Sequence, residues 1–97
     1  MNSFRPRLVQ RMSPTDNVAT ALRDLTPGEV VELDGAAVTV QSRVPFGHKV
    51  ALRDISPNEP VLKYGEEMGL AAGAIKAGEH VHTHNVESQR GRGDLKQ

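Results

Sequence analysis

The stretch ALRDLTPGEVV at residues 21–31 returns thirty positions later as ALRDISPNEPV at residues 51–61. Ala-Leu-Arg-Asp is identical in the two copies, and a proline and a glutamate follow at matching positions. A third, weaker copy is AIKAGEHV at residues 74–81. Each copy has the pattern of an apolar strand, a tight turn at Pro-Gly or Pro-Asn, and a second strand. The repeat therefore predicts a duplicated β-unit that is folded back on itself.

Length and composition agree with a small β domain. The chain has 97 residues, which suits one domain, and it has no Trp, one Tyr and two Phe, so its core must be aliphatic. Abundant valine favours strands. Twelve basic and twelve acidic side chains cancel, which argues against nucleic-acid binding. No apolar run is long enough to span a membrane, no signal segment is visible at the start, and cysteine is absent, so we expect a cytoplasmic location.

Two further segments carry turn signals. In VVELDGAAVTV, residues 30–40, Asp34-Gly35 joins two alternating runs and predicts a hairpin, with Val31 and Leu33 on the same side as Val38 and Val40. In KYGEEMGLAAGAI, residues 63–75, the three glycines favour turns and a bent strand over a helix-packing motif.

The segment SPTDNVATALRDL, residues 13–25, is ambiguous. Ser13 could cap a helix with Pro14 at its first position, and apolar residues follow at helical spacing. Its partner in the repeat, GHKVALRDI, carries β-branched residues and follows a loop. The repeat favours a strand over residues 17–23.

Three of the four histidines lie at alternate positions in GEHVHTHNVES, residues 78–88. In a strand they would share one face, with neighbouring Cβ atoms about 7 Å apart. His82 and His84 are then the better pair of metal ligands, since Asn85 follows and could orient a ligand. A third ligand could be His48, or more weakly Asp16 or Glu79. Contact with an anionic substrate and a merely polar sheet surface are the alternatives.

Other polar residues are weaker candidates. In GHK, residues 47–49, His48 could act as acid or base and Lys49 could hold a carboxylate, although an exposed loop has the same pattern. Tyr64 could hold a substrate hydroxyl or pack over the core. Arg53 recurs with the repeat, and charges shared by internal copies more often fix turns. The sequence contains no nucleophile motif and no glycine-rich phosphate loop.

These residues together resemble a known family. The segments DNVATALRDLTPGEVV (16–31) and VPFGHKVALRDISPNEPVLKYGEEMGLAAGAIKAGEHVHTHN (44–85) look like the SAF domain at the N-terminus of altronate and galactarate dehydratases. The resemblance covers about residues 8 to 86, and Met68 replaces the usual Ile before Gly69. It implies a mostly β, β-clip fold of bent hairpins with an internal repeat.

The resemblance also implies a chemistry, the β-elimination of water or sulfite from a small 2-hydroxy or sugar acid. It implies a divalent metal, Fe²⁺ or Mn²⁺, which a partner could bind in large part. Under this interpretation His82 and His84 face the metal, and His48 and Lys49 are the catalytic pair. Arg53, Tyr64 and Asn85 would contact the substrate.

The resemblance predicts a domain organisation as well. We expect an N-terminal extension at residues 1–7, the SAF domain at 8–88 and a flexible tail at 89–97. The family's dehydratases continue into a large catalytic domain, whereas a branch similar to (2R)-sulfolactate sulfo-lyase has a separate small subunit. A small subunit paired with a large catalytic subunit is the favoured interpretation, an excised domain is the other, and a homo-oligomer is left open.

Three different functions compete with a lyase component. SAF domains also serve as ligand-binding modules, so a stand-alone sugar-acid-binding module without catalysis is the main alternative. An assembly chaperone would need an export signal, which is not visible. A metal-carrying protein would bind metal tightly through the histidines by itself.

Overall fold

The computed structural model describes residues 7–33 and 35–87, and this part of the chain forms short antiparallel strands and no helix. The prediction of a mostly β fold is therefore confirmed. The strands are β1 Val9–Gln10, β2 Val18–Ala21, β3 Val30–Leu33, β4 Ala36–Thr39, β5 Lys49–Ala51, β6 Pro60–Lys63, β7 Glu66–Ala71, β8 His80–Val81 and β9 Val86–Glu87.

The strands form three sheets. A central four-stranded sheet has the order β1-β2-β5-β8, β3 pairs with β4, and the third sheet has the order β6-β7-β9. Strand β2 lies inside the predicted range 17–23, so the strand predicted there is confirmed and the helix is not formed. Its helical propensity is overridden because pairing with β1 and β5 satisfies its backbone groups on both sides.

The central sheet separates two aliphatic clusters. Alternate residues of a strand point to opposite faces. Val18, Ala51 and Val81 belong to one cluster, whereas Ala19 and Val50 belong to the other. Each fully buried valine contributes about 1.5–3 kcal/mol. The two clusters correspond to the two halves of the repeat.

Four turns of one design connect the strands. We number them turn 1 (26–29), turn 2 (45–48), turn 3 (56–59) and turn 4 (76–79). In each turn the fourth residue donates its backbone N–H to the carbonyl of the first, at 2.9–3.2 Å. The third residue has a positive φ, which glycine or asparagine adopts at low cost. These residues are Gly28 (95°), Gly47 (84°), Asn58 (68°) and Gly78 (91°). The repeat found in the sequence includes turns 1, 3 and 4 but not turn 2.

The turns dock in pairs. Leu25, before turn 1, bridges Val44, before turn 2, and Ile55 bridges Ile75 in the same way before turns 3 and 4. An aspartate in each pair caps the opposite turn. Asp24 Oδ1 accepts the N–H of Phe46 at 2.8 Å, and Asp54 Oδ1 accepts that of Ala77 at 2.9 Å. The duplicated unit is therefore a pair of turns.

A hairpin follows the first turn of each pair. In β3–β4, Val31 pairs with Val38, and both lie with Leu33 and Val40 in or against one cluster, as predicted. The β6–β7 hairpin contains a register shift between Val61 and Leu62 that leaves Met68 unpaired in the ladder. This β-bulge provides the predicted bend near Gly69.

The predicted tail lies outside the described residues, as does the predicted extension except for Arg7. The N-terminal extension and the flexible tail therefore stay predictions. Within residues 7–33 and 35–87, no helix has the length and hydropathy needed to cross a membrane.

Candidate functional site

All four histidine rings gather at the β5–β8 edge of the central sheet. His82 stacks on His48 with ring centroids 4.1 Å apart, and His80 lies 5.5 Å from His82 and 5.1 Å from His84. The expectation of a strand that continues through residue 84 is wrong, because β8 ends at Val81 and the chain turns over residues 82–85. The turn over residues 82–85 and turn 2 together bring the four rings into contact.

His48 reaches the cluster because turn 2 departs from the other three. In turns 1, 3 and 4 the fourth residue is a glutamate whose carboxylate accepts the backbone N–H of the first residue, at 2.8, 2.8 and 3.0 Å. The first residue of turn 2 is Pro45, which has no N–H to donate. The fourth residue, His48, instead directs its ring across the sheet. Its Nδ1 lies 2.8 Å from Nε2 of His80.

The backbone around His80 and His82 is fixed by hydrogen bonds. The N–H of His80 donates to Oγ of Ser42 at 2.9 Å. Asn85 accepts the N–H of His82 at its Oδ1 and donates from its Nδ2 to the carbonyl of His80, both at 2.9 Å. The observed contacts of Asn85 therefore stabilise the turn over residues 82–85. Its predicted contact with substrate stays a prediction.

Three of the rings have converging nitrogens. One ring nitrogen from each of His48, His80 and His82 lies within 4.8 Å of the other two, and all three residues are half-buried. Such a group is able to hold a divalent metal ion. His84 contacts the ring of His80 but lies outside this group of three. The predicted ligand pair of His82 and His84 is not tested by this geometry.

The electrostatic surroundings of the cluster are positive. Burial lowers the pKa of His80, and the neighbouring imidazoles and Arg43 lower it further. Burial, neighbouring imidazoles and Lys49 lower the pKa of His82. The pKa of Lys49 is itself lowered, first by burial and then by Lys63. These shifts favour neutral imidazoles at His80 and His82, and the ammonium group of Lys49 favours an anionic ligand beside the cluster.

A depression of about 260 Å³ lies beside the histidines. Lys49 and His82 supply its polar lining together with Thr83, and the remaining lining side chains are apolar: Val61, Met68, Val81 and Val86. A cation at the edge of an apolar surface suits a small molecule with one carboxylate end.

Arg53 and Tyr64 do not line this depression. Arg53 forms an ion pair of 2.8 Å with Glu59 in turn 3, as Arg23 does with Glu29 in turn 1 at 2.7 Å. Tyr64 is 62% exposed at the tip of the β6–β7 hairpin, with Lys63 Nζ 5.2 Å from its ring centroid. The observed contacts of both residues are structural, and their substrate contacts stay predictions.

The weaker acidic candidates also have structural partners. Asp16 is buried, and its carboxylate accepts the backbone N–H groups of Ser13, Tyr64 and Gly65 at 2.8–3.0 Å. It therefore ties the start of β2 to the tip of the β6–β7 hairpin. The carboxylate of Glu79 caps turn 4 by accepting the N–H of Lys76.

His80 is the residue that sequence reasoning missed. The interpretation of residues 80–84 as a strand favours His82 and His84 as the pair of metal ligands, because Asn85 follows them. A signal was present in the turn pattern, because Val44-Pro45-Phe46-Gly47-His48 aligns with Ile75-Lys76-Ala77-Gly78-Glu79. In the structure the strands that follow these two turns, β5 and β8, pair antiparallel, and His48 lies beside His80.

Comparisons with known proteins point to one family. A family model described as the altronate/galactarate dehydratase SAF domain matches residues 7–89. Altronate dehydratase from Escherichia coli is 48% identical over 73 residues, which is 75% of this chain and 15% of that enzyme. (2R)-sulfolactate sulfo-lyase subunit alpha from Chromohalobacter salexigens is 45% identical over 51 residues, 53% of this chain and 54% of the subunit. The same subunit from Paracoccus pantotrophus is 42% identical over 53 residues, 55% of this chain and 79% of the subunit.

Proposed function

Because this chain belongs to the altronate/galactarate dehydratase SAF domain family, we propose that it is the SAF component of a sugar-acid dehydratase or a related lyase. The observation that carries the proposal is the position of Lys49 in a depression that His82 also lines, beside the imidazole cluster. Cationic and imidazole groups at one surface suit a carboxylate substrate and a proton transfer.

The proposed reaction is β-elimination from a small 2-hydroxy or sugar acid. A base removes the proton on the carbon next to the carboxylate, and the electron pair of that C–H bond forms the new C=C bond. The leaving group on the adjacent carbon takes the electrons of its own bond, either as sulfite or as a hydroxyl group that accepts a proton and departs as water. Negative charge grows on the carboxylate as the proton leaves, so a cation placed there lowers the barrier.

The residues of this chain divide that work as follows. Lys49 holds the substrate carboxylate at the apolar surface of the depression. When no ion occupies the cluster, His48 and His80 share one hydrogen between facing nitrogens at 2.8 Å, and the pair can then hold or pass a proton. Val61 and Met68 contribute apolar surface to the depression.

A divalent ion, Fe²⁺ or Mn²⁺, is part of the proposal. The imidazole cluster fits such an ion, because neutral imidazole nitrogens are good ligands for first-row metals. A bound ion would supply charge stabilisation at the carboxylate.

The chain spans 15% of the length of the altronate dehydratase that it matches. We therefore propose that it acts with a large catalytic subunit, which supplies the rest of the pocket, or as the corresponding domain of a longer chain. The larger shares of the sulfo-lyase alpha subunits, 54% and 79%, favour the small-subunit arrangement.

The test is gentle purification from the native cells, followed by identification of what accompanies the chain. A large dehydratase-like subunit should copurify, and the mixture should eliminate water or sulfite from one member of a sugar-acid and sulfolactate panel. Neither part alone should be active. A chain that purifies alone and binds a sugar acid without turnover would instead establish the stand-alone binding module.

A matched pair of lysines tests the site. Lys49→Met should lower kcat/KM by about tenfold or more, because a charged contact to the carboxylate is lost. Lys76→Met removes the same charge at turn 4, outside the depression, and should leave kcat/KM unchanged. Equal effects of the two substitutions would contradict the role of Lys49.

A further inference from the structure

We propose that His48, His80 and His82 form a divalent-metal site that this chain carries entirely by itself. The proposal differs from the pair His82 and His84, and from an ion held mainly by a partner. It rests on the geometry of the described residues and does not require that the chain be a lyase component.

The first argument is convergence. Three ring nitrogens within 4.8 Å of one another come from two separate parts of the chain, turn 2 and the β8 region. The nitrogens of His48 and His80 face each other at 2.8 Å, so at least one of them must carry a hydrogen when no ion is bound. A metal ion would replace that shared hydrogen and use lone pairs of both rings.

The second argument is that the backbone already fixes the three residues. The carbonyl of His48 accepts the N–H of Ala21 at 2.8 Å, which locks turn 2 onto the central sheet. Ser42 holds the N–H of His80, and Asn85 holds the backbone of both His80 and His82. Ligands held before binding lose little conformational freedom when the ion arrives, which favours affinity.

The third argument is the donor chemistry. Three imidazole nitrogens suit Fe²⁺, Co²⁺ or Zn²⁺, whereas Mg²⁺ and Mn²⁺ prefer carboxylate, carbonyl or water oxygens. The nearby carboxylate of Glu79 is committed to the cap of turn 4. Of the two expected cofactors, the donor set therefore favours Fe²⁺ over Mn²⁺. Three protein ligands also leave at least one coordination position open, as in catalytic metal sites.

The test uses the full chain and Co²⁺ alone, with the visible absorption of bound Co²⁺ as the readout and no substrate or partner. Wild type should bind one Co²⁺ per chain, Zn²⁺ should displace it, and Mg²⁺ should not. His48→Ala, His80→Ala and His82→Ala should each weaken binding by about tenfold or more, since loss of a ligand should cost at least as much as loss of an outer-sphere partner. His84→Ala is the matched control and should leave the affinity close to that of the wild type, because His84 lies outside the group of three.

Folding is checked for every variant by circular dichroism, and His48→Gln, His80→Gln or His82→Gln replaces the corresponding alanine variant if that variant fails to fold. Loss of binding in His84→Ala with retention in His48→Ala would overturn the proposal in favour of the strand pair. An absence of Co²⁺ absorption in the wild-type chain would overturn it as well. Neither result would affect the copurification and elimination assay, so the two proposals fail separately.

Discussion

Turn 2 and the other three turns share one backbone and differ in what their fourth side chain does. Glu29, Glu59 and Glu79 direct their carboxylates back to the N–H of the first residue of their own turn. Pro45 removes that N–H from turn 2, so a carboxylate at position 48 would have no such partner. The histidine found there contacts His80 instead. Of these four turns, turn 2 lacks the glutamate cap, and it is also the turn that contributes a candidate functional residue, His48.

The largest loss of stability is expected when the glycines of turns 1 and 4 are replaced by alanine and the two variants are compared. Gly28 and Gly78 have nearly the same φ, 95° and 91°, and a Cβ on Gly28 would meet no atom within 4 Å. A Cβ on Gly78 would overlap the carbonyl oxygen of Thr39. Gly28→Ala should cost about 1–2 kcal/mol from backbone strain alone. Gly78→Ala should cost at least about 3 kcal/mol in urea unfolding, because backbone must also move.

Equal losses from the two glycine substitutions would mean that φ alone decides the cost. The close docking of turn 4 on the end of β4 would then contribute little. The difference between the two losses measures that docking, which the backbone dihedrals do not report.

The next largest loss of stability is expected at Asn85, in the segment that follows turn 4. Asn85→Ala removes hydrogen bonds to His82 N–H and to the carbonyl of His80, and should cost about 2 kcal/mol in urea unfolding. It should also weaken Co²⁺ binding about tenfold although Asn85 is no ligand, as expected for a residue that positions ligands. Asn58→Gly, in turn 3, is the control with unchanged Co²⁺ affinity. Unaltered Co²⁺ binding by Asn85→Ala would show that the turn at 82–85 does not position the rings.

Local patterns predicted most of the fold. The repeat identified β2 as a strand despite its helical features, and Asp34-Gly35 identified the β3–β4 hairpin because a turn signal and two alternating runs lie within one short segment. Turn 2 was not predicted from the repeat because the sequence Val44-Pro45-Phe46 shares little with Leu25-Thr26-Pro27, although the two segments have the same backbone conformation.

The candidate site was less accessible to sequence reasoning. Contact between His48 and His80 spans 32 positions and depends on the pairing of β5 with β8. Alternation along one strand predicted that His80, His82 and His84 share a face, but the turn after Val81 depends on the side chain of Asn85. The recurrence of Arg23 and Arg53 did indicate turn-fixing ion pairs, which the structure contains.

A double-mutant cycle would convert turn 2 into the common design. His48→Glu alone offers a carboxylate with no N–H to accept, and Pro45→Thr alone offers an N–H with no carboxylate. The double substitution restores the hydrogen bond seen between Thr26 and Glu29. We expect a favourable coupling of about 0.5–1.5 kcal/mol from urea unfolding of the four proteins. Strictly additive effects would show that Pro45 is not the reason for the different role of His48.

The smallest effect should appear in the pH dependence of a glutamate turn. The pKa of Glu59 is lowered first by the backbone N–H of Ser56 and then by Arg53. A lowered pKa in the folded state means that the carboxylate adds stability above its unfolded pKa of 4.5, and that this stability is lost as the pH falls through the folded value. Glu59→Gln keeps a hydrogen-bond acceptor but removes the charge.

The wild type should therefore exceed Glu59→Gln in urea stability at neutral pH, by less than about 1 kcal/mol because the pair is open to solvent. The two proteins should converge as the pH falls from 4.5 through the lower folded pKa of Glu59. Added salt should reduce the part due to Arg53 and spare the part due to Ser56, since a hydrogen bond to the backbone is screened less than an exposed ion pair. A difference that persisted unchanged into acid would mean that the charge of Glu59 does not strengthen its cap. The contrast between the charged cap in turn 3 and the imidazole of His48 in turn 2 would then be a difference in side-chain shape alone.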